Sequence, residues 1–114
     1  MVARLRFAPS PTGPVHVGNV HTAVFCWALS RALKGDFIIR IEDTDTERNT
    51  AEATQLLFDA LTWIGLDWDE GPDVGGEFGP YVQSQRRPFH QRVIEKLVDE
   101  GHAYYGDDPA HPAS

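Results

Sequence analysis

Arg6-Phe7-Ala8-Pro9-Ser10-Pro11-Thr12-Gly13-Pro14-Val15-His16-Val17-Gly18-Asn19 reads as the end of a short strand, a turn stiffened by Pro and Gly, and a His-x-Gly-Asn that opens a helix. Upstream, Leu5 and Phe7 alternate with Arg4 and Arg6 in a strand pattern. From about Asn19 to Lys34, Val20, Val24, Trp27 and Ala28 with Phe25, Leu29 and Ala32 make a broad apolar helical face, and Gly35 is the expected stop. Phe37-Ile38-Ile39-Arg40-Ile41 is short, β-branched and almost continuously apolar, as in a parallel-sheet strand covered on both faces. Strand, helix, strand in this order is a βαβ unit with a right-handed crossover. The chain is therefore an α/β protein. Its Pro/Gly turn lies at the C-terminal end of the first strand, where such sheets hold their ligands.

Outward from this unit, Asn49 and Glu52 form a capping pair for a second helix. Ala53, Leu57, Ala60, Leu61 and Ile64 follow at helical spacing, and Gly65 ends it. Residues 66–82 read as irregular, anchored by Trp68 and Tyr81. A last helix spans about Gln85 to Glu100, with Pro88 in its first turn, a Phe89, Val93, Leu97 stripe and Gly101 as cap. The Pro/Asp/Ala-rich tail 106–114 is expected to be disordered.

At 114 residues, 41% hydrophobic and 24% charged, the composition is that of a soluble globular chain with a modest core. The formal net charge of -7 argues against a protein that coats nucleic acid. Charge is uneven, however. Residues 1–41 carry five cations against Asp36 alone, so the basic end coincides with the turn and an anionic ligand suits it. Cys26 is the sole cysteine, which excludes an internal disulfide, a zinc ribbon and a CxxC redox pair; it reads as a small core residue. No signal-peptide core or membrane-length apolar run is present, so the cytoplasm is the expected location.

Three features carry chemistry. In His16-Val17-Gly18-Asn19, Gly18 permits close approach, the helix N-terminus offers unpaired N–H groups, and His16 can donate to a phosphate oxygen as charge develops. An ordinary Gly-containing loop remains the alternative reading. The GxxxxGK[ST] and GxGxxG patterns are absent, so a nucleotide needs another device. Second, Glu42, Asp43 and Asp45 leave the end of a buried strand. They suit an ammonium group, Mg²⁺ or a helix cap, with Glu42 best placed for a pocket and Asp43 and Asp45 better suited to capping and solvation. Third, Arg6 stands at the end of strand one, where its fork suits a carboxylate; Arg48 suits a local ion pair with the acidic cluster. Trp27, Trp63 and Trp68 read as packing residues, and His21, His90, His102 and His111 show no ligand spacing.

Arg6 to Asn19, Phe37 to Arg48, Trp63 to Pro72, Tyr81-Val82-Gln83-Ser84-Gln85-Arg86 and Ala103-Tyr104-Tyr105 together resemble the glutamyl-tRNA synthetases, which are class I aminoacyl-tRNA synthetases. The resemblance implies a Rossmann-like parallel sheet, with residues 1–105 as the N-terminal part of the catalytic domain. It implies ATP-dependent activation of L-glutamate and transfer to the tRNA acceptor end, with Mg²⁺ arriving with ATP. The family's HIGH signature falls on His16 to Asn19, so His16, Gly18 and Asn19 become catalytic candidates. Pro9, Ser10, Thr12 and Gly13 join them around ATP. Arg6 is similar to the residue that pairs with the glutamate side chain, Ala8 and Ser10 to pocket walls, and Glu42 to the partner of the ammonium group. Asp45 and Arg48 are candidates for contact with the acceptor end.

The chain departs from the family in places. Asn19 replaces the last His of the signature, and His21 stands where Arg is common. Gly106-Asp107-Asp108 follows the Tyr pair where some members have zinc-binding cysteines, so no zinc is expected. The KMSKS signature is absent. The resemblance thus implies an N-terminal segment with little or no activity by itself, from a full-length enzyme that is monomeric. Two alternatives are a shorter relative that glutamylates the queuosine base of tRNA, and a non-catalytic fragment that binds nucleotide weakly. Unpartnered sheet edges predict poor solution behaviour.

Overall fold

The computed structural model describes residues 1–45 and 51–106. Strand β1 (Arg4–Phe7) leads through the turn to helix α1 (Val17–Ala32), then strand β2 (Asp36–Ile39) and helix α2 (Ala51–Trp63). A 3₁₀ turn (Gln83–Arg86) runs into helix α3 (Arg87–Asp99). The strands are parallel, with Arg4 opposite Asp36 and Phe7 opposite Ile39, as the βαβ pattern requires. Asn49 of the expected capping pair, and all of the tail beyond Gly106, lie outside the described residues.

Alternation along the strands divides the sheet into two faces. Phe7, Phe37, Ile39 and Ile41 turn to the helices and form the core with Ala23 of α1, Leu57 and Leu61 of α2, and Leu66. Burying the Phe, Ile and Leu side chains is worth about 1.5–3 kcal/mol each. Arg4, Arg6, Ile38 and Arg40 face the other way by the same alternation. There Arg4 makes a two-pronged contact with Glu70, at 2.6 and 3.0 Å, and its guanidinium lies 4.6 Å from the Phe78 ring centroid. The Tyr81 hydroxyl donates to Glu70 at 2.6 Å. The Arg4 hydrogen bonds hold the Glu70 carboxyl below its ordinary range against the cost of burial, and the Tyr81 bond adds to this. Burial, with the Glu70 bond, raises the Tyr81 phenol.

The stretch after α2 is more ordered than expected. Ile39 N–H donates to Glu70 O and Ile41 N–H to Tyr81 O, so the chain at 70 and 81–83 pairs along the outer edge of β2. Asp69 fixes the start of this stretch by accepting from Phe37 N–H at 2.7 Å and from Arg31 at 2.8 Å. Trp68 stacks on Phe58 with centroids 5.5 Å apart, and Tyr81 is buried, as their anchoring role required. Trp63 does not pack in the core: it is 86% exposed at the end of α2.

Helix α1 ends differently from expectation. Lys34, not Gly35, takes the left-handed conformation, with φ at 52°. Gly35 N–H then closes on Ser30 O at 2.8 Å. Gly35 is needed for closeness, because a Cβ there would run into the carbonyl oxygen of Ala3. The broad apolar face of α1 is also only partly used. Phe25 is 66% and Leu29 50% exposed; with Leu5, Cys26, Ala28 and Ala32 they line an apolar hollow of about 480 Å³. This hollow lies beside β1, whose second edge has no partner strand among the described residues. The Phe89, Val93, Leu97 stripe of α3 is likewise left partly exposed.

Candidate active site

The ladder between the strands continues past their ends. Asp36, Arg40 and Glu42 N–H groups donate to Ala3, Phe7 and Pro9 carbonyls at 2.8, 3.0 and 2.8 Å, keeping the two-residue step of a parallel pair. Extended by that register, Arg6, Ala8 and Ser10 of one segment and Arg40 and Glu42 of the other share the face away from the helices. The four residues expected to hold the amino acid, Arg6, Ala8, Ser10 and Glu42, are therefore brought to one face. At the near end of that face the Arg4–Glu70–Tyr81 cluster closes the surface. Next along the face from Arg4, Arg6 is exposed and makes no ion pair or hydrogen bond through its side chain among the described residues.

Glu42 is not free-standing. Its Oε1 accepts from Arg40 Nε at 2.8 Å and Nη2 at 2.6 Å, and both side chains retain about a fifth of their exposure, 22% and 23%. Sequence reasoning passed over Arg40 as a member of an apolar run. The signal was present: positions 40 and 42 of an extended segment must lie on one face.

Asp43 has a capping role, but for a distant element. Its two oxygens accept from Ser84 N–H at 2.8 Å and the Ser84 hydroxyl at 2.6 Å, tying the strand end to the 3₁₀ turn. Asp45 follows at a half-buried position, and Arg48 lies outside the described residues. A hollow of about 390 Å³ beside this strand end is lined by Asp43, Thr44, Gln83, Ser84, Arg87 and His90.

The Pro/Gly turn walls a cavity of about 370 Å³. Pro9, Ser10, Thr12, Gly13, His16 and Asn19 all line it, closed from below by Ala53 and Leu57 of α2. Gly18 does not reach it, because it serves His16 instead. Helix α1 begins at Val17, two residues before the expected start, with His16 as its N-cap: His16 Nδ1 accepts the Gly18 N–H at 3.2 Å. Asn19 N–H donates to His16 O at 3.1 Å. The expectation of bare N–H groups at this terminus is thus corrected, since those of Gly18 and Asn19 are occupied. A Cβ on Gly18 would sit 3.0 Å from the His16 ring. Glycine here lets the imidazole fold back over the helix end.

With Nδ1 accepting, a neutral His16 carries its proton on Nε2, which leaves a donor directed away from the cap. The site therefore offers a fork cation, an anchored carboxylate with one oxygen in use, and an imidazole donor beside a cavity. Among the described residues no three His, Cys, Asp or Glu side chains are grouped to hold a metal ion, and no helix is long and apolar enough to cross a membrane.

Residues 2–111 match the family model of the tRNA synthetases class I (E and Q), catalytic domain. The chain is 56% identical over 103 residues to a glutamate–tRNA ligase of Natranaerobius thermophilus, spanning 90% of this chain and 21% of that protein. It is 58% identical over 102 residues to one from Mycolicibacterium paratuberculosis, with 90% and 21% covered. A crystal structure of a glutamate tRNA ligase from Elizabethkingia meningosepticum, in complex with its amino acid, superposes with a TM-score of 0.82 at 45% identity. That superposition covers 87% of this chain and 20% of the solved one. The chain thus spans about a fifth of the length of these relatives.

Proposed function

Since the chain belongs to the catalytic-domain family of the class I tRNA synthetases for glutamate and glutamine, we propose that it forms part of a glutamate–tRNA ligase active site. There glutamate is activated by ATP to glutamyl-adenylate and passed to the 3′ end of tRNA. The observation that carries this reading is the placement of Arg6 and Glu42 on one face of a continuous ladder, beside the cavity walled by the turn. A fork cation suits the side-chain carboxylate of glutamate, and an anchored carboxylate suits its ammonium group.

In this reading the α-carboxylate of glutamate attacks the α-phosphate of ATP in line, breaking the bond to the α,β-bridging oxygen and releasing pyrophosphate, so the protein's contribution is positioning and electrostatics. Arg6 holds the far carboxylate, Ala8 and Ser10 wall the pocket, and Glu42 holds the ammonium group. His16 donates from Nε2 to a phosphate oxygen as charge develops, with Gly18 and Asn19 shaping its turn and Pro9, Ser10, Thr12 and Gly13 enclosing the nucleotide. Mg²⁺ enters with ATP as part of the substrate. Asp45 and Arg48 meet the acceptor end of the tRNA, and the working enzyme is cytoplasmic. The glutamate–tRNA ligase names of the relatives favour this over the queuosine reading.

The test uses a chimera in which residues 1–105 replace the matched stretch of the Natranaerobius ligase, supplying the other four-fifths of an enzyme. Expected are ATP-dependent glutamyl-tRNA formation and loss of glutamate-dependent pyrophosphate exchange on Arg6→Ala. Unchanged exchange at low glutamate in that variant sinks the reading.

A further inference from the structure

We infer that Arg40 is a positioning residue for the amino-acid ammonium group, acting through Glu42. The inference rests on the glutamate-site reading above and names a residue which that reading does not use.

A glutamate side chain at a strand end has three rotatable bonds and must give up that freedom to grip a ligand. Arg40 removes the freedom in advance. Its Nε and Nη2 converge on a single oxygen, Oε1, at 2.8 and 2.6 Å. Two charge-assisted donors on one oxygen hold Oε1 in place and leave Oε2 turned outward for a ligand. Oε2 accepts no hydrogen bond from any described residue, so the lone pairs left for a ligand are on the oxygen that Arg40 does not use. The backbone secures the same geometry: Arg40 and Glu42 N–H groups are both locked into the ladder, to Phe7 and Pro9. Neither end of the pair can drift independently.

The charge has a second consequence. Glu42 with Arg40 is close to neutral as a unit, so a bare cation gains little from it. An ammonium group gains most when Arg6 holds the other end of the same molecule and directs the ammonium at Oε2. The pair therefore favours a ligand with a carboxylate and an ammonium at the right separation over a simple amine.

The experiment measures Arg40→Ala, Arg40→Lys and Glu42→Gln in the chimera, with glutamate as substrate and glutarate, which lacks the ammonium group, as inhibitor. Loss of a preorganised side chain predicts about a fivefold rise in the glutamate KM for Arg40→Ala. ATP KM, melting temperature and glutarate inhibition should stay unchanged, and Arg40→Lys should recover part of the loss. Glu42→Gln should raise the glutamate KM by about a hundredfold, again sparing glutarate. Unchanged or lower glutamate KM in Arg40→Ala, with Glu42→Gln impaired, overturns the inference alone. An equal loss of glutamate and glutarate binding in Arg40→Ala overturns it too, as a general packing role. If Glu42→Gln is itself without effect, the glutamate-site reading fails first and takes the inference with it.

Discussion

The imidazole of His16 holds the Gly18 amide at 3.2 Å through Nδ1, which commits the ring's proton to Nε2. On the proposed reading, capping falls to Nδ1 and phosphate donation to Nε2 of the same ring. In the chimera, His16→Ala should slow adenylate formation by about 10²- to 10³-fold, with a smaller change in ATP KM. Gly18→Ala should also slow it, because the added Cβ displaces the ring it would touch at 3.0 Å. Pyrophosphate exchange measures both; a Gly18→Ala enzyme as fast as the parent would separate the cap from the chemistry.

Glu70 gives the fold a pH dependence of definite sign. Its carboxyl is held below its ordinary value of 4.5 chiefly by the Arg4 hydrogen bonds. A depressed folded value means that the stabilisation is complete above the ordinary value and is lost as pH falls through the lowered one. The stretch 70–82 should therefore loosen as pH falls below the ordinary carboxyl value of 4.5, ahead of the helices. Near-ultraviolet circular dichroism of Trp68 and Tyr81 checks this. Tyr81→Phe should cost about 1.5–3 kcal/mol, as for a hydrogen bond to a charged group.

The end of α1 sets two neighbouring positions against each other. Lys34→Gly relieves a left-handed lysine and should be stabilising by up to about 1 kcal/mol, since the strain of about 1–2 kcal/mol is partly offset by glycine's extra freedom when unfolded. Gly35→Ala forces a Cβ into the Ala3 carbonyl and should cost about 1–3 kcal/mol. Denaturant melts of the two variants should move in opposite directions.

Phe25, Leu29 and Leu5 leave apolar surface beside a strand edge that no described residue pairs. The 114-residue chain should self-associate in solution and show little or no aminoacylation without added segments. Phe25→Glu with Leu29→Lys should raise its soluble, monomeric fraction, as read by light scattering. No change in association would place the sticky surface elsewhere, with the α3 stripe next in line.

The βαβ unit was legible because its signals are local. Leu5 and Phe7 alternate, Phe37 to Ile41 is continuous, and the Pro-rich turn separates them. The ladder that places Arg6 opposite Ile38 follows from parallel pairing, so the shared face of Arg6 and Glu42 was within reach of sequence. The long-range partnerships were not. Nothing in spacing links Arg4 to Glu70 or Asp43 to Ser84, which are brought together by a stretch that reads as loop. Gly35 reads as the helix stop in sequence because glycine has two uses, positive φ and close approach, and a string of letters does not say which. Trp63 reads as a packing residue by type, but at the end of α2 it falls outside the Ala53, Leu57, Leu61 row.

The hydrogen bond from Glu42 N–H to Pro9 O extends the parallel ladder beyond both strands. It welds the start of the turn to the acidic strand end, making one stiff bracket of Pro9, Ser10 and Glu42. A bracket transmits displacement without yielding, so a pull on Glu42 is felt at Ser10. The cavity wall built from Thr12, Gly13 and Pro14 starts where this bracket ends. On the proposed reading, the amino acid rests on that bracket and the nucleotide on the wall beyond it.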